Sequence, residues 1–214
     1  MPIRLLYLDT SADETIVSWM EDGCVIAEQV MPGSRDHGLH IHSMVELVCQ
    51  QVSLSLSDLQ GIVVMNGPGS YTGLRIALSV AKGFCYALNA PLFLLNKLDM
   101  LAIASLSVVA EGPRSIIGRA RADEYFYGLY NELGQSIEEP QVVNSDYWIK
   151  QTHPQFTFQA PLADEIPQLI GLEISAQTRC QVSFDAFLAN KTADLMQSEP
   201  FYLKNVFINK INKL

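Results

Sequence analysis

An α/β fold of two similar lobes, each a mixed sheet with helices, is what three features of this sequence predict. Short apolar segments of strand length alternate with segments of helical periodicity. An opening pattern of strand, polar turn, strand, glycine turn and strand returns in the second half of the chain. The triplet Ala12-Asp13-Glu14 also recurs at 122–124, 110 residues further on, which points to duplication of one unit. A length of 214 residues accommodates either one large domain or two compact ones. With 49% hydrophobic and 17% charged residues, the composition is that of a chain that folds.

The elements follow in order. Residues 4–30 read as a buried strand, a polar turn at 10–14, a second strand over 15–20, a turn at Gly23 and a third strand, which together make an antiparallel meander. Residues 36–52 place Ile41, Met44, Val45, Val48 and Val52 at helical spacing, with Ser43, Glu46 and Gln50 on the other face. After a short turn at 56–59, the continuous apolar run 61–65 has the character of a strand buried on both faces. The loop 66–73 opens a second helix reaching about residue 88, on which Arg75, Ser79 and Lys82 form a thin polar stripe, so most of this helix must be covered. A strand at 91–95 and a third helix over 98–109 complete the first half.

The second half repeats the meander from residue 115 and then weakens. It offers strand-like pieces over 148–161, a weak helix at 164–170, a helix over 178–188 and an extended tail at 199–204. No low-complexity linker separates the halves, so 1–110 and 111–214 are expected as lobes packed together, the second smaller and more divergent.

Charge and cysteine use restrict the function. Fourteen Lys+Arg against 23 Asp+Glu give a net charge of −9, and without a basic block the chain is not expected to bind nucleic acid directly. Cys24, Cys49, Cys85 and Cys180 contain no CxxC pair, and no apolar run has the length of a membrane span. A reduced, cytoplasmic protein is expected.

The candidate sites each have a bland and a functional reading. Asp9-Thr10-Ser11 after the first strand offers a carboxylate and two hydroxyls to a phosphate or a metal-bound water; equally, Asp9 and Ser11 close the turn by hydrogen bonds. Phosphate-binding hairpins carry glycine in this turn, where this chain has Ala12 and Asp13, and the 110-residue offset sets Arg119 opposite Asp9. The 67–73 loop reads as an anion cradle or as a tight strand-to-helix turn; its GxGxxxG spacing matches neither a Walker A nor a dinucleotide loop. His37, His40 and His42 do not converge as metal ligands on a helix, since 42 points roughly 200° from 40, and they are expected at a solvated helix start. His153 is read as loop. There is no GxSxG, and Cys85 lies between Phe84 and Tyr86, where burial raises rather than lowers a thiol pKa. Ala77, Ala81 and Gly83 let a helix approach closely, whether it is a partner's or the chain's own sheet that does so.

Taken together, residues 5–11, the motif GPGSYTGLR at 67–75, the Ala120-Arg121 and Glu124 turn and the tail Pro200-Phe201-Tyr202-Leu203-Lys204 resemble the bacterial TsaB (YeaZ) family over nearly the whole chain. The resemblance implies the ASKHA fold of actin and sugar kinases, in two duplicated lobes. It implies a non-catalytic subunit in the formation of N6-threonylcarbamoyladenosine at position 37 of tRNAs reading ANN codons. The paralogue TsaD carries the metal and transfers the threonylcarbamoyl group, TsaB pairs with it through first-lobe helices, and the ATPase TsaE joins them. The paralogue's HxxxH metal signature falls here on Lys97 and Leu101, which are not metal ligands. Arg119 stands where the family usually has Asp.

The interface implied by the resemblance draws on Ile41, Met44, Val45 and Val48 of the first helix and Leu74, Ala77, Ala81 and Phe84 of the second. Tyr202, Leu203 and Lys204 of the tail assist. Asp9, Thr10 and Ser11 are the residues for any residual nucleotide contact; no metal or cofactor is expected, and the isolated chain either forms a homodimer through the same helices or stays single. The alternative is a stand-alone ASKHA phosphotransferase using Asp9 with Mg-ATP.

Overall fold

A computed structural model describes residues 1–33 and 36–203. Two five-stranded mixed sheets share one grammar. In the first, β1 (Arg4–Asp9), β2 (Thr15–Glu21) and β3 (Cys24–Met31) form the meander, and β4 (Gly61–Met65) and β5 (Leu92–Leu95) add in parallel, in the order β3-β2-β1-β4-β5. In the second, β6 (Arg114–Arg121), β7 (Glu124–Tyr130) and β8 (Gln141–Asn144) form the meander. There β9 (Gln155–Thr157) and β10 (Leu169–Gly171) add in parallel, giving β10-β9-β6-β7-β8. Each sheet is therefore three antiparallel strands extended by two parallel ones, and the duplication read from the Ala-Asp-Glu repeat is a duplication of topology.

Side-chain alternation explains the unbroken apolar strands. Leu6 and Leu8 of β1, with Ile62 and Val64 of β4, face α1 (His37–Val52) and α2 (Tyr71–Leu88). Leu5, Tyr7, Val63 and Met65 face the other way, against α3 (Lys97–Ala104) and α6 (Ala176–Leu188). A strand with helices on both faces has no wet side to alternate with. The second sheet packs its Ile116 and Phe156 on Leu98, Leu101 and Ala102 of α3, so this helix lies between the two sheets. Its opposite face holds Ile117, Tyr125, Tyr127 and Trp148 under Leu162. The final helix α6 returns to the first sheet, where Arg179 Nη2 donates to Glu28 Oε2 of β3 at 2.8 Å.

Several elements differ from the sequence reading. The third helix ends at Ala104 and continues as a 3-10 turn over Ser105–Ser107. The helix expected at 164–170 is α5 (Ala160–Glu165) followed by β10, because Pro161 sits in its first turn and Pro167 cannot continue it. Residues 145–148 form the short helix α4 (Ser145–Trp148). His37 is not solvated: it is buried at the start of α1, with Nδ1 2.7 Å from Thr15 Oγ1.

The first half's helices also place the expected interface residues inside. Ile41, Met44, Val45 and Val48 of α1 and Leu74, Ala77 and Ala81 of α2 are buried against the chain's own first sheet. The small alanines of α2 serve close packing of that helix on β1 and β4, the own-sheet alternative of the sequence reading. Phe84 is half-buried at the helix surface.

Candidate functional site

The turn after β1 and the loop before α2 are interlocked. Asp9 Oδ1 accepts from Ser11 N at 2.7 Å and from Ser11 Oγ at 2.5 Å, and Oδ2 accepts from Tyr7 Oη at 3.3 Å. Burial foremost, and then the Asp9 carboxylate, push the Tyr7 phenol well above its ordinary pKa and keep it a donor. Thr10 Oγ1 donates to Gly73 O at 2.6 Å, while Ser11 O accepts from Ser70 N at 2.8 Å. Ser70 caps α2, its Oγ accepting from Gly73 N at 3.2 Å. Two of the loop's amides are therefore spent on Ser11 O and Ser70 Oγ, as in a tight strand-to-helix turn. The glycines permit this approach: a Cβ at Gly69 would stand 2.2 Å from Ser11 O, and one at Gly73 1.8 Å from Thr10 O.

Lys97 completes this turn. It opens α3 directly after β5, where its own N–H donates to Gly67 O at 2.7 Å, and its ammonium donates to Ser11 Oγ. The buried ammonium lies 3.9 Å from Asp9 Oδ2 and 5.5 Å from the Phe158 ring centroid of the second half. One turn on, Leu101 is buried between the sheets. Among the described residues, no group of three His, Cys, Asp or Glu is arranged to hold a metal ion. The sequence singled out Asp9, Thr10 and Ser11 and noted that Lys97 is no ligand; that the lysine reaches back 86 residues to Ser11 is a tertiary fact.

Above Lys97 is a cleft of about 710 Å³ between the halves, bordered by Ser11, Glu14, Ser70, Arg119, Arg121 and Phe158. Arg119 lies on the wall opposite the Asp9 turn and is committed to its own half: Nη2 donates to Glu165 Oε2 at 2.5 Å. That pairing raises the guanidinium's pKa and lowers the Glu165 carboxyl's, chiefly through the hydrogen bond.

The second candidate site is the outward face of α1 and α2. Leu39 and Leu47 are exposed on α1, and Ile76, Val80 and Phe84, each four residues from the next, are half-exposed on α2. The His42 ring meets Phe84 edge-on at 5.8 Å. Beside them, His42, Glu46, Cys49, Leu54 and Phe84 border a groove of about 510 Å³. The tail lies on the neighbouring side of α2. Phe201 N donates to Asn66 O at 2.9 Å, Tyr202 stacks on Tyr71 at 4.9 Å, and Arg75 Nε donates to Tyr202 Oη at 2.8 Å. Arg75 also lies 4.2 Å over the Tyr71 ring, an i,i+4 pair that sequence spacing alone makes visible. Leu203 reaches the core between the sheets, and Lys204 lies outside the described residues.

Burial works against thiolate formation at Cys49, Cys85 and Cys180. Desolvation pushes Cys85 and Cys180 up to about 11, so on the order of one molecule in a thousand is thiolate at pH 8. Iodoacetamide at that pH is expected to modify the exposed Cys24 first and to leave Cys85 and Cys180 intact until the chain is unfolded. Peptide mass mapping reads this directly, and early modification of Cys85 would contradict it.

Comparison with known proteins adds the family. The family described as "TsaD: tRNA N6-adenosine threonylcarbamoyltransferase" matches residues 25–207. The chain belongs to the TsaD family. Within it the likeness is to TsaB (YeaZ): TsaB of Escherichia coli (strain K12) is 25% identical, with 95% of both chains covered. TsaB of Bacillus subtilis (strain 168) is 29% identical over 68% of this chain and 64% of its own length. The transferase of Desulfitobacterium hafniense (strain Y51) is 34% identical over 64% of this chain, but the match spans only 47% of that protein. This chain thus spans about half the length of the transferases it matches. YeaZ from Pseudomonas aeruginosa, a solved structure, superposes with a TM-score of 0.78 at 23% identity, covering 94% of this chain and all of that one. The fold is the two-lobed ASKHA-like one. No helix among the described residues is long and apolar enough to cross a membrane.

Proposed function

We propose that this member of a tRNA threonylcarbamoyladenosine biosynthesis family is its non-catalytic subunit: it pairs with TsaD through the outward faces of α1 and α2, and TsaE joins the pair. The reading rests above all on Lys97, at the cleft, and Leu101, buried one turn on, the positions at which the family resemblance sets the two histidines of the catalytic paralogue's signature. A lysine ammonium and a leucine buried between the sheets supply no metal ligand. The α1–α2 face supports the pairing, because Ile76, Val80 and Phe84 leave a half-exposed apolar stripe along α2, with His42 of α1 against Phe84. The net charge of −9 fits a subunit that binds the enzyme and leaves the tRNA to others, in the cytoplasm where that tRNA is modified. The segments 1–110 and 111–214 are proposed as the two duplicated lobes, with the pairing face on the first.

Mixing the purified chain with its cognate TsaD tests this. A single earlier-eluting species on size exclusion is the expected result, and separate elution at micromolar concentrations would sink the proposal. Titration with Mg-ATP is expected to give no heat of binding. Tight binding abolished by Asp9→Ala would instead establish the phosphotransferase alternative.

A further inference from the structure

We propose that the Lys97 ammonium is the resident cation of the Asp9 turn, and that it closes to divalent metal ions a site whose oxygen donors would otherwise suit one. A buried carboxylate beside hydroxyl oxygens is the donor set of a hard cation such as Mg²⁺ or Mn²⁺. Asp9 is buried, with Ser11 Oγ 2.5 Å from its Oδ1. A carboxylate in that position needs more than dipoles to offset its lost hydration. Its hydrogen-bond donors among the described residues, Ser11 N, Ser11 Oγ and Tyr7 Oη, are all neutral. The compensating charge comes from Lys97, whose side chain is only 7% exposed and whose ammonium is 3.9 Å from Oδ2. The ammonium is linked to the same carboxylate through Ser11 Oγ, which accepts from Lys97 and donates to Asp9.

The position of the lysine is set by backbone, not by chance packing. Lys97 N is tied to Gly67 O, and the Asn96 side chain caps the next residue of α3, so the stem starts from a fixed point and points across to the β1–β2 turn. A divalent ion entering there would meet an ammonium of like charge and a carboxylate with lone pairs already engaged. The fold's cleft is retained, while the charge that a metal would bring to its floor is supplied by the chain itself.

Melting curves of the full-length chain test the proposal, with Mn²⁺ alone as the probe. Lys97→Met keeps the stem and removes the charge; the melting temperature is expected to fall by about 10 °C, as for a buried pair that loses one partner. Adding Asp9→Asn, which removes the stranded charge, is expected to recover most of that loss. Lys97→Ala leaves room for an ion, so millimolar Mn²⁺ is expected to raise its melting temperature, leaving the wild type and Lys97→Ala/Asp9→Asn unmoved. The proposal is overturned if Mn²⁺ stabilises the wild type in an Asp9-dependent way, if it fails to stabilise Lys97→Ala, or if Lys97→Met melts like the wild type. Should both single lysine variants fail to fold, the double variant Lys97→Met/Asp9→Asn decides: folding supports the resident cation and failure overturns it. None of these readings depends on TsaD binding.

Discussion

Val80→Glu is expected to remove the complex with TsaD while leaving the melting temperature of the isolated chain close to that of the wild type. Val80 is the middle member of the Ile76–Val80–Phe84 stripe and is half-exposed, so a glutamate there turns its carboxylate to water in the free chain. Against an apolar partner the same carboxylate is desolvated without a counter-charge. A loss of about 3 kcal/mol, or roughly a hundredfold in Kd, is the scale for spoiling the centre of an interface. Calorimetric titration of TsaD with each variant reads it, and Leu39→Glu, at a position 75% exposed, repeats the test on α1. The comparison with Ala81→Glu separates pairing from folding. Ala81 is fully buried against the first sheet, so that substitution is expected to unfold the lobe. If Val80→Glu and Leu39→Glu both bind as wild type does, the interface lies elsewhere.

Two glycines of α2 are expected to respond to alanine with opposite signs. Helix propensity alone makes Gly→Ala stabilising by about 0.5–1 kcal/mol. Gly83 is exposed on the helix and a Cβ there meets nothing within 4 Å, so Gly83→Ala is expected to realise that gain. At Gly73 the Cβ would stand 1.8 Å from Thr10 O and 3.0 Å from Thr10 C, and neither is a flexible tip. The β1–β2 turn has to move away, breaking the Thr10 Oγ1 bond to Gly73 O and straining the adjacent Ser70 to Ser11 contact. A loss of about 3 kcal/mol or more is expected for Gly73→Ala. Urea denaturation of the two variants beside the wild type measures both effects. Equal midpoints for Gly73→Ala and Gly83→Ala would refute the interlocked turn.

What was legible in the sequence was whatever depends on periodicity and short-range chemistry. The runs 5–8 and 61–65 are apolar without alternation because helices cover both faces of the sheet, and that character is written in the residues themselves. The GxGxxxG spacing of 67–73 was enough to set aside the known phosphate loops, and the structure gives its glycines the packing role instead. Direction was the harder matter. On α2 the sequence marks Ala77 and Ala81 as permitting close approach but is silent on what approaches, and β1 and β4 of the same chain are the answer. Likewise His37 reads as a polar helix start, and becomes a buried group only because β2 brings Thr15 beside it.

The same division runs through the candidate site. Taken alone, the sequence determined a duplicated α/β chain, an acidic balance, the turn Asp9-Thr10-Ser11 and Lys97 and Leu101 four residues apart, since each of these is a matter of residue identity and spacing; that two histidines stand there in the paralogue is what the family resemblance implies. Only the tertiary structure decided that the lysine's charge lies against Asp9, that Arg119 is held by Glu165 on the far wall, and which side of each helix remains exposed. Those outcomes depend on contacts between segments tens of residues apart, which form once the sheet has brought their strands together, and local pattern carries no record of them.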